Sequence, residues 1–199
     1  MKTLDEILFE ARLGGNYENS EANKGIPVIK MGNLERGNIN TDKVQYLPED
    51  EEFNKEDVLN AGDLLFNTRN TLELVGKVAV WRNKLPFAIY NSNLLRMKFK
   101  NEHVASNYFM NYVFNTQYAL NKLRRISTGT TSVAAIYGKD LYAIKLDLPN
   151  VGEQRQITDC LASLDGLIVE QTQKIESLKA HKKGLIQQLF PAPNEIETS

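Results

Sequence analysis

The chain has 199 residues, of which 42% are hydrophobic and 25% charged, so it is long enough for one domain of ordinary size and an appended element. No apolar run approaches the roughly 18 residues of a membrane span, and the single cysteine, Cys160, excludes an internal disulfide framework and fits a cytoplasmic protein. The net charge of −1 conceals an uneven distribution, because residues 61–150 carry 12 basic and 5 acidic residues whereas residues 1–60 carry 7 and 13. A positive middle third fits a polyanion-binding face, and it fits solvated surface charges equally well.

Short β-rich runs alternate with turns along the first two thirds of the chain. Residues 4–13 have the spacing of an amphipathic helix. Short strands are expected at 26–31, 44–47, 64–66, 76–81, 87–89 and 94–99. Helical spacing returns at 103–123, a polar loop (STGTTS) follows at 127–132, and a last strand at 144–148 ends before Pro149. This order predicts an α+β domain over residues 1–148.

Hydrophobic residues recur at heptad spacing through the C-terminal part of the chain. The steps alternate between four and three residues, which is the repeat of a coiled coil. The ten positions of this seam are Ile157, Leu161, Leu164, Ile168, Gln171, Ile175, Leu178, Lys182, Leu185 and Leu189. A helix of roughly 35 residues, about 50 Å long, needs another helix to cover such a stripe. The pattern predicts a long helix within residues 149–191, a partner for it, and a flexible tail at 192–199.

Patterns typical of catalysis or metal binding are missing from the sequence. It has no GxGxxG or GxxxxGK[ST] phosphate loop, no G-x-S-x-G elbow and no HExxH motif. Its two histidines, His103 and His181, lie far apart and lack the spacing of metal ligands. We therefore expect a binding or assembly module with no catalytic residue, metal or cofactor of its own.

Three segments contain the side chains that usually contact DNA. Arg, Asn, Gln and small hydroxyl side chains read bases, whereas Lys, Arg, Ser and Thr contact phosphates. The first segment contains Asn67, Thr68, Arg69 and Asn70. The second contains Arg124, Arg125, Thr128, Thr130, Thr131 and Ser132. The third contains Lys30, Asn33 and Arg36. For each segment the alternative interpretation is turn chemistry combined with surface charge.

Two motifs flank the long helix. The first is LPNVGEQRQI at 148–157, and the second is KIESLKAHKKGLIQQLFP at 174–191. They resemble the PLPPLxEQ turn and the KxLKxxKKGLMQQLF tail of type I restriction-modification specificity (S) subunits. Asn150 stands where that family has a second proline, and Gly152 where it has a polar or charged residue. Upstream, the segments at 62–67, 75–81 and 90–99 and the STGTTS loop look like landmarks of the family's target recognition domain.

The resemblance implies a DNA-reading subunit without catalysis of its own. Full-length members have two recognition domains and two antiparallel helices, whereas this chain has one of each, so the resemblance implies a half-length subunit. Two copies would then read a palindromic, bipartite site. The expected partners are double-stranded DNA, a second copy of the chain, methyltransferase (M) subunits that bring S-adenosylmethionine, and restriction (R) subunits. No membrane partner is expected.

In the antiparallel arrangement, the length of the helix sets the distance between the two half-sites. About 50 Å of helix spans at most ~15 base pairs at ~3.4 Å each. In a pair centred near residue 173, Lys182 of one copy is expected to contact Asp165 of the other.

Two other classes of protein compete with this interpretation. A methyltransferase fused to a recognition domain is disfavoured, because the sequence has neither a (D/N/S)PP(Y/F) motif nor a Gly-rich cofactor loop. A coiled-coil assembly protein without nucleic-acid specificity stays open, since the heptad pattern alone would suffice for it.

Overall fold

A computed structural model describes residues 1–18 and 24–190 of the chain. In chain order its strands are β1 (Lys2–Thr3), β2 (Leu8–Leu13), β3 (Ile26–Ile29), β4 (Gln45–Leu47), β5 (Leu64–Asn67), β6 (Arg69–Asn70), β7 (Val78–Val80), β8 (Ile89–Tyr90), β9 (Leu94–Phe99), β10 (Thr128–Gly129), β11 (Ala134–Ala135) and β12 (Lys145–Leu146). The helices are α1 (Leu4–Ile7), α2 (Asn107–Phe114), α3 (Gln117–Ile126), α4 (Gly138–Tyr142) and α5 (Val151–Leu189), with a short 3₁₀ turn at Lys55–Asp57. The fold class is α+β followed by one long C-terminal helix, as the sequence predicts.

The largest sheet is antiparallel and has the strand order β2-β9-β5-β7. Strand β5 is buried on both faces, which is why its sequence reads as a continuous apolar run. Leu64 and Phe66 pack into one core cluster together with Phe114 of α2, whereas Leu65 packs with Trp81 in a second cluster. The sheet therefore lies between two hydrophobic layers.

Three smaller sheets surround the central one. The order β4-β3-β8 combines an antiparallel pair with a parallel pair, β10-β11-β6 is antiparallel, and β1 pairs with β12. The predicted strands at 26–31, 44–47, 64–66, 76–81, 94–99 and 144–148 each overlap an observed strand. The strand predicted at 87–89 lies slightly later, at Ile89–Tyr90.

The helix predicted at 4–13 is wrong beyond its first turn. Thr3 begins α1 with a capping box, in which its hydroxyl accepts the backbone N–H of Glu6 and the Glu6 carboxylate accepts that of Thr3. After one turn the chain continues as β2, which pairs with β9 along its length and contains a bulge between Leu8 and Glu10. Pairing with a buried central strand outweighs the weak local preference for helix.

The single helix predicted at 103–123 is two helices. The hydroxyl of Ser106 caps α2 by accepting the backbone N–H of Phe109, and that of Thr116 caps α3 by accepting the backbone N–H of Ala119. An N-cap hydroxyl in extended backbone begins a new helix, so the break at Asn115–Thr116 is encoded by Thr116. The five-residue helix α4 was not predicted at all.

The chain divides into two compact units between Arg155 and Gln156. The first turn of α5 therefore belongs to the globular unit, and the rest of the helix forms the second unit. The helix is 39 residues long, or about 58 Å at ~1.5 Å per residue. The tail predicted at 192–199 lies outside the described residues.

Candidate nucleic-acid interface

The sheet β10-β11-β6 joins two of the three predicted DNA-contacting segments. Strand β11 pairs on one side with Thr128–Gly129 and on the other with Arg69–Asn70. A backbone hydrogen bond of 3.1 Å from the Leu72 N–H to the Thr131 carbonyl extends the junction. Two segments about sixty residues apart in sequence thus form one surface.

The polar run at 127–132 is a β-hairpin rather than the loop that the sequence predicts. The backbone N–H of Thr130 donates to the Val133 carbonyl at 2.8 Å, which closes a tight turn between β10 and β11. The Val133 N–H donates in return to the Thr130 hydroxyl oxygen at 3.2 Å. Gly129 has a φ of +129°, and a Cβ there would lie 2.3 Å from the Val133 carbonyl oxygen, so only glycine fits this hairpin. The hydroxyl run is thus held in a defined shape.

Several predicted side chains are exposed on or beside this sheet and available to a ligand. They are Arg69, Arg124, Arg125, Thr128, Thr130, Thr131 and Ser132. Among residues 1–18 and 24–190, the guanidinium of Arg69 has no hydrogen-bond or ion-pair partner. Arg124 and Arg125 occupy the last turn of α3, immediately before the hairpin. A cluster of exposed arginines and hydroxyls has the chemistry of a phosphate- and base-contacting surface.

Two predicted contact residues are buried, which contradicts their assignment as DNA contacts. Asn67 is fully buried, and its side-chain oxygen accepts the backbone N–H of Arg69 at 3.1 Å. Asn33 is 7% exposed and uses its amide within its own turn, donating to the carbonyls of Asn40 and Lys43 and accepting the N–H of Lys30. Neither side chain can reach a base, because burial and internal hydrogen bonds fix both of them. Their role is to shape the neighbouring backbone.

Three further side chains are engaged in local hydrogen bonds but are not buried. The hydroxyl of Thr68 donates to the Asn93 carbonyl at 2.9 Å, and Asn70 accepts the backbone N–H of Thr71 at 2.8 Å. The ammonium group of Lys30 donates to the Gln45 side-chain oxygen at 2.7 Å. These bonds favour the turn-chemistry alternative for Thr68, Asn70 and Lys30.

The third predicted segment joins the surface through Arg36 alone. Its Nη2 donates to the backbone carbonyl of Glu73 at 3.2 Å, and it lines a cleft together with Arg124. Partial burial lowers the pKa of Arg36, and the positive charge of Arg124 lowers it further, whereas Glu73 acts in the opposite direction. Lys30 and Asn33 lie beside strand β3, and they do not line this cleft.

Two exposed residues beside the hairpin were not predicted from the sequence. Val133 is 62% exposed at the hairpin turn, and Tyr137 is 58% exposed immediately before α4. An apolar side chain next to a run of hydroxyls is the available sequence signal. This signal predicts an exposed Val133 only when the run is recognised as a hairpin, because the side chains of a hairpin turn are exposed.

The first motif of the helix forms a joint within the globular unit. Gln154 is fully buried. Its side-chain oxygen accepts the backbone N–H of Ala105 at 2.8 Å, and its amide donates to the carbonyls of His103 and Pro149 at 2.8 and 2.9 Å. A buried amide with satisfied hydrogen bonds fixes its neighbours precisely. Gln154 thus holds the start of α5 against the segment that precedes α2.

The predicted seam is largely open to solvent along the second unit. Its aliphatic residues that are at least 40% exposed are Ile157, Leu164, Ile168, Ile175, Leu178, Leu185 and Leu189. Leu161 is partly buried, and Gln171 and Lys182 are exposed. Such a long apolar stripe is far larger than isolated surface hydrophobics and marks an interaction surface.

In the part of the chain that the structure describes, no three His, Cys, Asp or Glu residues are grouped so as to hold a metal ion. No described helix is long and apolar enough to cross a membrane.

Comparison with known proteins identifies the family. Residues 2–180 match the model of the type I restriction modification DNA specificity domain. The chain belongs to this family. It is 28% identical over 194 residues to a provisionally named type I restriction enzyme specificity subunit, MjaX, of Methanocaldococcus jannaschii, covering 96% of this chain and 45% of the relative.

Solved structures share the fold. The S subunit of a type I restriction-modification system from M. genitalium superposes with a TM-score of 0.62 at 15% identity, over 95% of this chain and 45% of that one. The HsdS subunit from Thermoanaerobacter tengcongensis superposes with a TM-score of 0.54 at 17% identity, over 94% and 42%. The chain therefore spans less than half the length of these relatives.

Proposed function

We propose that this chain is a DNA-recognition subunit of a type I restriction-modification system and carries no catalysis of its own. The observation that supports this most strongly is the convergence of Arg69, Arg124 and the hydroxyl-rich hairpin on one surface of a family member. A two-stranded β-ribbon is one of the two elements that fit the DNA major groove. Arg69 lies beside such a ribbon, and its guanidinium has no partner among the described residues, so it is the leading candidate to read a base.

The long helix would pair with the same helix of a second copy, running in the opposite direction. Its exposed seam needs a partner of matching length. Residues 156–172 contain three acidic and no basic side chains, whereas residues 173–190 contain four lysines and one glutamate. An antiparallel pair sets each acidic half against a basic half, and a parallel pair sets like charges together. Charge complementarity thus supports the antiparallel homodimer.

An antiparallel homodimer would read a palindromic, bipartite site. Each globular unit would bind one half, since a two-fold axis relates the two copies. A helix of about 58 Å limits the separation of the half-site centres to at most ~17 base pairs at ~3.4 Å each. This replaces the shorter bound derived from the sequence, because α5 begins six residues before the seam.

Methyltransferase subunits are the proposed partners of the DNA-bound dimer. They would supply adenine methylation with S-adenosylmethionine, and restriction subunits would supply cleavage. The chain itself would recognise the DNA sequence and set the spacing between the two half-sites. The helix surface outside the seam is the proposed docking site for the methyltransferase.

Selection of bound duplexes from a random library, with and without the methyltransferase subunit, tests this function. We expect enrichment of a two-part motif whose halves are inverted repeats separated by a fixed spacer. Enrichment of no motif under either condition, with a helix that still self-associates, would support a coiled-coil assembly protein instead. Mapping methylated adenines in cells that carry both subunits then identifies the site directly.

A further inference from the structure

Arg36 and Arg124 come from separate parts of the chain and line one cleft of about 200 Å³. Arg36 lies in the turn between Leu34 and Ile39, which form an isolated bridge, and Arg124 lies in the last turn of α3. The hydrogen bond from Arg36 Nη2 to the Glu73 carbonyl fixes one edge of its guanidinium. The remaining N–H groups of Arg36 stay available to the cleft, since a guanidinium has five donors.

The positive charges of Arg36 and Arg124 repel each other in the free protein. Neither arginine has a carboxylate within ion-pair distance among residues 1–18 and 24–190. The neighbouring charge of Arg124 is one of the causes that lower the pKa of Arg36, although an arginine stays protonated at neutral pH. An anion between two guanidinium groups converts this repulsion into two charge-assisted hydrogen bonds.

A second cleft shares Arg124 with the hairpin sheet. It is lined by Thr71, Leu72, Glu73, Arg124 and Thr131. Arg124 therefore stands between Arg36 on one side and the hydroxyl-bearing Thr71 and Thr131 on the other. Arginine forks flanked by threonine hydroxyls are the donors that proteins use for the DNA backbone.

We propose that Arg36 and Arg124 together hold one phosphodiester group of the DNA backbone, beside the surface where the hairpin meets the duplex. This inference rests on the proposed DNA-recognition function and adds a positioning contact to it. The contact carries no sequence information, because phosphates are alike at every base pair. It fixes where the hairpin and Arg69 fall along the duplex. The exposed carboxylate of Glu73 disfavours phosphate binding at this place, because its negative charge lies close enough to act on Arg36.

Salt titration of the full chain on a random-sequence duplex tests the shared phosphate. The slope of log K against log salt changes by about 0.9 for each phosphate that is no longer neutralised. If the two arginines share one phosphate, R36A/R124A lowers the slope by about 0.9, whereas separate contacts lower it by about 1.8. Lys55→Ala removes one positive charge from the 3₁₀ turn, half of what the double variant removes, and serves as the control for loss of a surface charge elsewhere.

Two further variants keep the test independent of folding. R36K/R124K retains both charges but loses the planar forks, so we expect an unchanged slope with at least a threefold weaker affinity. Glu73→Gln should tighten binding equally on all sequences. A double-alanine slope change near 1.8, or a change no larger than that of Lys55→Ala, would overturn the shared phosphate. Failure of the wild-type chain to bind any duplex would instead overturn the proposed function.

Discussion

Asn150 and Glu153 cap the long helix reciprocally. The backbone N–H of Glu153 donates to the Asn150 side-chain oxygen at 3.0 Å, and the backbone N–H of Asn150 donates to the Glu153 carboxylate at 3.1 Å. This is a capping box in which Asn replaces the usual Ser or Thr. Asn150, which departs from the proline of the family motif, therefore has a specific role at this position. It satisfies a backbone donor that would otherwise be unpaired at the helix N-terminus.

Asn150→Ala should destabilise the globular unit by about 1 kcal/mol, because the N-cap acceptor is lost. Urea denaturation followed by circular dichroism measures this change, with Gln156→Ala as a control on the exposed face of the same helix. The control should stay within about 0.5 kcal/mol of the wild type. Equal stability of the Asn150→Ala protein and the control would show that the capping box contributes nothing.

Gln154→Leu should be more damaging than Asn150→Ala. Leucine is similar in size, but it leaves the part-buried N–H of Ala105 and the carbonyl of His103 without the fully buried amide that is their partner. Each buried group left unsatisfied costs about 1–3 kcal/mol, so we expect a loss of at least about 2 kcal/mol. Gln156→Leu places the same side chain at an exposed position and should be nearly neutral. A stable Gln154→Leu protein would mean that water or a backbone shift replaces the amide.

Arg69→Ala should relax the target preference at one base position and leave the rest of the motif intact. A bidentate arginine–guanine contact contributes about 1–3 kcal/mol of discrimination. Selection from a random duplex library, performed on wild type and variant in parallel, measures the loss position by position. Because Asn67 holds the backbone N–H of Arg69, the substitution should not disturb the strand. An unchanged motif would exclude Arg69 as a base reader.

Arg125→Ala should weaken binding by a similar factor on every sequence. Its side chain is exposed at the end of α3, where it would contact a phosphate rather than a base. We expect the salt slope to fall by about 0.9, with the selected motif unchanged. Fluorescence anisotropy on specific and random duplexes separates the two effects. A loss confined to the specific duplex would instead assign Arg125 to base reading.

The sequence predicts the fold class and the long helix well, because both depend on periodic patterns. Seam residues such as Leu164 and Ile175 repeat at fixed spacing, and buried strands such as β5 are continuous apolar runs. Residues 8–13 could not be predicted, since their strand exists only by pairing with β9 more than eighty residues away. Local spacing contains no information on such a partner.

The candidate site, like the fold, could be predicted from the sequence only in part. The chemistry of Arg69, Arg124 and the hydroxyl run is visible in the sequence, since residue type alone suggests it. The burial of Asn33 and Asn67 is not visible, because exposed and buried asparagines have the same letter and differ only in their hydrogen bonds. The approach of Arg36 to Arg124 also depends on tertiary structure. Sequence thus supplies candidates, and burial decides among them.

Reversing the charge of Lys182 should weaken self-association of the chain. In an antiparallel pair centred near residue 173, Lys182 lies opposite Asp165 of the second copy, so Lys182→Asp sets two carboxylates against each other. Sedimentation equilibrium should show a dimer dissociation constant raised severalfold, since such surface pairs contribute about 0.2–1 kcal/mol each and occur twice in a symmetric dimer. The double variant D165K/K182D restores opposite charges and should recover most of the affinity. High salt should reduce all these differences. Recovery would not occur in a parallel pair, where Lys182 meets Lys182 and Asp165 meets Asp165, so failure of the double variant to restore dimerisation would exclude the antiparallel arrangement.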